Sequence, residues 1–195
     1  MSVAAARRRL LTIASLLLAL GAGSAAAAPP LNVVLLIGDD MRWDAIGAAG
    51  NPVVRTPRID ELAREGVRFE QARVTTSICM VSRATLMTGQ YMSRHGIREF
   101  GRPLAPDAFA NSFPGLLRRA GYWTGYVGKY GIGAPRAGDF DLLRAYEGTH
   151  WTKGPDGERL HVTERNARDA IEFLKNRPKD RPFLLTIGFF APHAE

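Results

Sequence analysis

Cys79 is the only cysteine among 195 residues, and it lies four positions before Arg83 in the run Ser77-Ile78-Cys79-Met80-Val81-Ser82-Arg83. In an exported chain a single thiol has no internal disulfide partner, so it is reactive, modified or used between molecules. The competing reading is a small buried hydrophobe. A helix starting near Ser82 is expected to project the Arg83 guanidinium back toward residue 79; otherwise Arg83 serves a surface salt bridge. Asp39 and Asp40 follow an apolar run, where paired acids can hold a hard cation such as Ca2+, which takes about six to eight oxygen ligands. The same Gly-Asp-Asp sequence also suits a solvated turn. Lys129 and His193 complete the set, each directly behind a further apolar run.

The elements that must position these residues follow from periodicity. Asn32 to Gly38 is a continuous apolar run of strand length, the pattern of a parallel strand covered on both faces. Thr56-Pro57 opens a helix through Arg64, with Thr56 as N-cap, Gly66 past its end, and Ile59, Leu62 and Ala63 on one face. Val67 to Val74 reads as a strand leading into the cysteine loop. Asn111 to Ala120 reads as a helix stopped by Gly121, and Tyr122 to Val127 as a strand ending in Gly128-Lys129. Thr163 caps a helix whose Ala167, Ala170, Ile171 and Leu174 share a face, and Phe183 to Phe190 is a last strand. Alternating strands and helices predict an α/β fold with helices on the sheet faces. Such sheets bind ligands beyond the carboxyl ends of their strands, where Asp39, Asp40, Cys79, Lys129 and His193 are all expected.

The segment from Cys79 through Ser82-Arg83 to Thr88-Gly89 resembles the nucleophile segment of type I sulfatases, with Val81 in place of the family proline. Ile37 to Arg42, with Asp44, Gly47, Thr56-Pro57, Ile59-Asp60, Leu62-Ala63, Glu65-Gly66-Val67 and Phe69, is similar to the family's amino-terminal segment. Gly121 to Tyr130 resembles its second signature, which usually ends Gly-Lys-Trp-His; the histidine position here is Gly131. Ala191-Pro192-His193 is similar to its Pro-His segment. The resemblance implies an alkaline-phosphatase-like sandwich with a mostly parallel central sheet. It implies that Cys79 is oxidised to formylglycine by a maturation enzyme, and that Asp39 and Asp40, with residue 79, bind Ca2+. It further implies that Arg83 steadies the formylglycine diol, Lys129 binds sulfate as a point charge, and His193 assists the leaving group. In the mechanism so implied, the diol attacks sulfur and its second hydroxyl then collapses the covalent intermediate to release sulfate. Gly131 leaves either another base to serve that last step or turnover impaired. His95 is expected to be structural, and His150 and His161 carry no motif.

Arg7-Arg8-Arg9, the apolar stretch from Leu10 to Leu20 and the small residues through Ala28 read as a secretory leader over residues 1–28. The apolar core is shorter than the ~20 residues a membrane span needs, so no stable membrane insertion is expected. The protein is expected in the periplasm or outside the cell. Without the three leader arginines the chain carries 23 basic and 19 acidic residues, a net +4. No Lys/Arg run interleaved with aromatics is present, which argues against nucleic acid as a partner. Residues 29–195 are expected to form the amino-terminal part of a sulfatase catalytic domain. The downstream Asp/Asn pair and further lysine of that family are not among them, nor are the strands that follow, so the sheet is expected to be incomplete. The function so implied is an exported sulfatase, or its amino-terminal fragment, acting on a sulfated small molecule or polysaccharide. The alternatives are a phosphodiesterase or phosphonate hydrolase of the same superfamily, which fold alone does not exclude, and a non-catalytic truncated product.

Overall fold

The computed structural model describes residues 28–146 and 148–194. The leader expected over residues 1–28 therefore lies outside the described residues except for Ala28, and no described helix is long and apolar enough to cross a membrane. The chain divides into Met1–Pro30 and Leu31–Glu195, and the fold below is that of the second unit.

Four parallel strands form the main sheet in the order β1-β6-β2-β3: β1 (Val33–Ile37), β2 (Trp123–Gly128), β3 (Leu142–Ala145) and β6 (Phe183–Gly188). A two-stranded antiparallel ribbon, β4 (Trp151–Lys153) and β5 (Arg159–His161), lies outside it. The helices are α1 (Pro57–Glu65), α2 (Cys79–Thr88), α3 (Met92–His95), α4 (Pro106–Ala110), α5 (Phe113–Arg119) and α6 (Val162–Asn176). The α/β class and the parallel sheet expected from the sequence are both present.

The central strands β2 and β6 are covered on both faces, because successive residues point to opposite sides. Val127, Leu185 and Ile187 pack with Ala170 and Phe173 of α6. Tyr126 turns the other way, into a cluster with Met80, Val81, Ala84 and Met87 of α2 and with Phe109, Ile132 and Phe140. Gly125 lets α6 come close: a Cβ there would lie 2.5 Å from the Phe173 ring. Burying a ring such as Phe173 contributes roughly 1.5 to 3 kcal/mol.

Several expectations are corrected. Val67 to Val74 forms no strand: it has no ladder partner among the described residues, and its side chains are exposed. Apolar alternation specifies a strand only where a neighbouring strand can pair with it. The β1 run is an edge strand paired with β6 among the described residues, and it is not doubly covered: Val34 and Leu36 are 51% and 53% exposed. Ile59 and Leu62 of α1 are exposed as well. Thr56 makes no side-chain cap; its hydroxyl accepts from Gly47 N and donates to Asp60 Oδ1 instead. The expected Asn111–Ala120 helix is the shorter α5, which begins at Phe113, and a separate helix, α4, precedes it; the two are parted where the Ser112 hydroxyl donates to Phe109 O. The cap of α6 is His161 rather than Thr163: Nδ1 accepts from Thr163 N, and Glu164 reaches back to His161 N.

His95 has the structural role expected of it. Its Nδ1 accepts from Ile97 N at 3.1 Å, which leaves Nε2 to donate to Thr85 Oγ1 at 3.2 Å. Burial lowers its pKa from the ordinary 6.5. As pH falls through that value the unfolded chain therefore takes up the proton first, so stability present above it is lost below. Replacing His95 by Asn keeps an acceptor for Ile97 N without a titrating group. Thermal unfolding between about pH 7.5 and 5.5 is expected to show a smaller loss of stability for His95→Asn than for the wild type; equal losses would refute this.

Candidate active site

The site is built where β2 and β6 end side by side. Gly128 and Gly188 are register partners, and the backbone N–H of Lys129 donates to Gly188 O at 2.7 Å. Both glycines are required by crowding. A Cβ on Gly188 would lie 2.8 Å from Arg83 Nη1 and 2.9 Å from the Tyr126 hydroxyl, while Gly128, at φ +90, closes on Gly188 O and Asn166. The paired glycines clear the floor on which the charged side chains sit.

Cys79 is the first residue of α2, rather than part of a loop before a helix at Ser82. The first intrahelical bond runs from Ser82 N to Ile78 O, so the N–H groups of Cys79, Met80 and Val81 have no acceptor within the helix. That end carries the positive pole of the helix and favours anions. Val81 departs from the family proline without disturbing this geometry, because a first-turn proline would forfeit no helical bond. Its side chain is fully buried in the core instead.

Arg83 follows one turn later and is 3% exposed. Its Nη1 donates to Tyr126 Oη at 3.1 Å and to Lys129 O at 2.5 Å, while Nη2 has no hydrogen-bond partner among the described residues. Tyr126 Oη in turn donates to Lys129 O at 2.8 Å. The Lys129 ammonium, on a residue 5% exposed, contacts Asp39 Oδ2 and lies 4.9 Å from the Phe190 ring centre. Arg83 Nη2 is 3.7 Å from the same Asp39 oxygen, which these cations approach without hydrogen-bond alignment. Asp40 takes a left-handed turn at φ 55, tolerable for Asp, and its Oδ2 lies 3.5 Å from His193 Nε2.

Cys79, Lys129 and His193 share an open cleft of about 710 Å³ with Phe100, Tyr130 and Tyr146. Asp39, Asp40 and Arg83 line an adjoining one of about 220 Å³, which Cys79 also borders. The structure thus brings together every residue singled out from the sequence. Cys79 reaches the site from a helix start, not a strand end, because its preceding segment is irregular. Gly131 contributes no side chain; a Cβ there would lie 2.9 Å from Arg83 Cδ, so a side chain would displace the guanidinium stem. Burial raises the phenol pKa of Tyr130, with Asp139 adding to it, and that of Tyr146, with Asp169 adding to it, so both stay protonated hydroxyls at neutral pH. Local pattern missed Tyr126, the partner of Arg83, and His150, whose Nε2 lies 2.7 Å from His193 O. Their partners are 43 positions away in each case, beyond any local signal.

No three His, Cys, Asp or Glu side chains converge on a metal position among the described residues. The donors nevertheless suit a hard cation. Asp39 Oδ2 is buried and accepts no aligned hydrogen bond, though the Lys129 ammonium lies against it, and both carboxylates border the pocket that Cys79 lines. They are too few for the six or more oxygens Ca2+ takes, about half a shell at most.

Residues 31–195 match the family model described as Sulfatase. The chain is 30% identical over 173 residues to an N-acetylglucosamine-6-O-sulfatase of Bacteroides thetaiotaomicron, covering 83% of this chain and 30% of that protein. It is 33% identical over 170 residues to the N-sulphoglucosamine sulphohydrolase of Homo sapiens, covering 84% and 32%. Among solved structures, BT4656 in complex with its substrate D-glucosamine-2-N,6-O-disulfate superposes with a TM-score of 0.72 at 28% identity, covering 84% of this chain and 35% of that one. The chain belongs to the sulfatase family, and its fold is the alkaline-phosphatase-like fold of those structures. It spans about a third of the length of these relatives.

The crowding at Gly188 makes a direct test. Gly188→Ala is expected to lower stability by roughly 1 to 3 kcal/mol, because its Cβ would run into the Lys129 carbonyl oxygen and displace Arg83 and Tyr126. Urea unfolding measures it, and an unchanged midpoint would show the packing there to be looser than described.

Proposed function

We propose that this chain carries the nucleophile side of an exported, Ca2+-dependent sulfatase centre that hydrolyses sulfate esters after Cys79 has become formylglycine. The observation that carries this reading is the buried group of Asp39, Arg83 and Lys129 beside the helix start at Cys79. One carboxylate faces two cations there, leaving a net positive charge that a sulfate ester would balance. Membership of the sulfatase family supports the same reaction.

Each residue then has a role. Asp39 and Asp40 would hold the cation, which when bound supplies further stabilisation to charge on the sulfuryl oxygens. Formylglycine would supply a hydrated aldehyde hydroxyl as nucleophile at position 79. Arg83, fixed by Tyr126 and the Lys129 carbonyl, directs Nη2 toward the sulfuryl oxygens, and Lys129 offers its ammonium as a second charge. His193 has Nδ1–H against the Ala194 carbonyl, so in its imidazolium form Nε2–H would be the donor that gives a proton to the departing alcohol oxygen, leaving the neutral ring. Residues 1–28 serve export in this reading. A formylglycine-generating enzyme is the maturation partner, and the substrate is a sulfated small molecule or polysaccharide. Residues 29–195 are the amino-terminal part of the catalytic domain.

The test is peptide mass spectrometry over residues 74–94 of the full chain made together with the maturation enzyme, followed by ester assays. Aldehyde at position 79 is expected, with aryl sulfate turnover that falls to background in Cys79→Ala and on chelation of Ca2+. An intact thiol, or turnover of phosphate but not sulfate esters, would overturn the reading.

A further inference from the structure

His150 lies outside both clefts, yet it is fixed more firmly than a spare surface histidine. Its ring stacks on His161 at 5.6 Å with 14° between planes, and His161 meets Trp151 edge-on at 5.1 Å. Its carbonyl accepts from Val162 N at 2.7 Å, so the start of α6 holds its backbone. On the other side the ring packs 5.0 Å from Phe190, the residue under the Lys129 ammonium and beside the His193 ring. From this anchored position Nε2–H donates to the His193 carbonyl at 2.7 Å. The only other main-chain bond at His193 among the described residues is from its own N–H to Phe190 O at 3.0 Å.

We propose that His150 is a positioning residue: its Nε2–H pins the main chain of His193, so that the His193 imidazole stays aimed into the cleft beside residue 79. The catalytic half of this inference rests on the role given above to His193; the structural half does not. Phe190 alone would fix the ring against sliding, but a face contact has little direction. A hydrogen bond at normal length to the carbonyl sets the rotation of the peptide that carries the side chain. The ribbon β4–β5 and the cap of α6 thereby support a residue that follows β6.

Two variants separate this role from packing. His150→Phe keeps a ring against Phe190 and His161 but removes the donor, whereas His150→Gln keeps an N–H where Nε2 stands. Hydrogen exchange across residues 189–194 is expected to rise about tenfold in His150→Phe and to return toward wild type in His150→Gln, with β2 unchanged in both. Unaltered exchange in His150→Phe overturns the inference whatever the enzyme's activity. In the matured protein, kcat for an alkyl sulfate should fall about tenfold in His150→Phe with KM unchanged. Nitrophenyl sulfate, whose leaving group departs without a proton, should lose less than about twofold. Equal losses on both substrates would assign His150 to packing alone. If the matured wild type cleaves neither ester, the sulfatase reading fails, and the exchange measurement still decides whether His150 holds His193.

Discussion

The organising constraint is one buried carboxylate shared by two buried cations. Asp39 at 5% exposure meets the Lys129 ammonium and lies within 4 Å of Arg83. Removing such charges from water costs several kcal/mol per ion, and mutual attraction offsets that only where geometry and hydrogen bonding are good. Arg83 meets the second condition at Nη1 and leaves Nη2 open. The cluster therefore holds a surplus positive charge and, at Nη2, a buried donor with no hydrogen-bond partner among the described residues. That arrangement stabilises the fold poorly by itself and suits an incoming anion well.

The backbone around the cluster is shaped to make it possible. Gly128 and Gly188 end the two central strands together, and the space a Cβ would take is filled by Asn166 on one side and by Arg83 and Tyr126 on the other. Val127 and Tyr126 point to opposite faces of β2, so one strand contributes both to the α6 core and to the hydroxyl that holds Arg83. The cluster is thus tied to both layers of the domain. The half-buried thiol of Cys79 stands at the start of α2, where N–H groups without a helical acceptor and the helix dipole add to the same positive field.

Much of this was legible from the chain alone, and the failures share a cause. The strand at Tyr122–Val127, the helix from Thr163 toward Pro178 and the strand at Phe183–Phe190 appear within a few residues of their expected bounds, but the helix buries Val162, Asn166, Asp169, Ala170 and Phe173, and Ala167, Ile171 and Leu174 of the expected face are exposed. Val67 to Val74 has the same kind of apolar residues but no strand partner among the described residues. β3 and the β4–β5 ribbon give little sequence signal: all three strands are only three or four residues long, and β3 depends on pairing with β2 rather than on its own pattern. Thr163 looked like the cap of α6 because hydroxyls are common caps, whereas the ring nitrogen of His161 does that work.

The sequence by itself determined the chemical inventory and its local spacing: adjacent acids after an apolar run, a thiol and a guanidinium one turn apart, and a lysine and a histidine behind two further runs. Those are relations over a few residues, which backbone periodicity dictates. Only the tertiary structure decided that Asp39 faces Lys129 and Arg83, that Gly131 leaves room for the Arg83 stem, and that His150 reaches the carbonyl of His193. Such contacts join residues tens of positions apart, and their geometry depends on how the layers pack rather than on any neighbouring residue type.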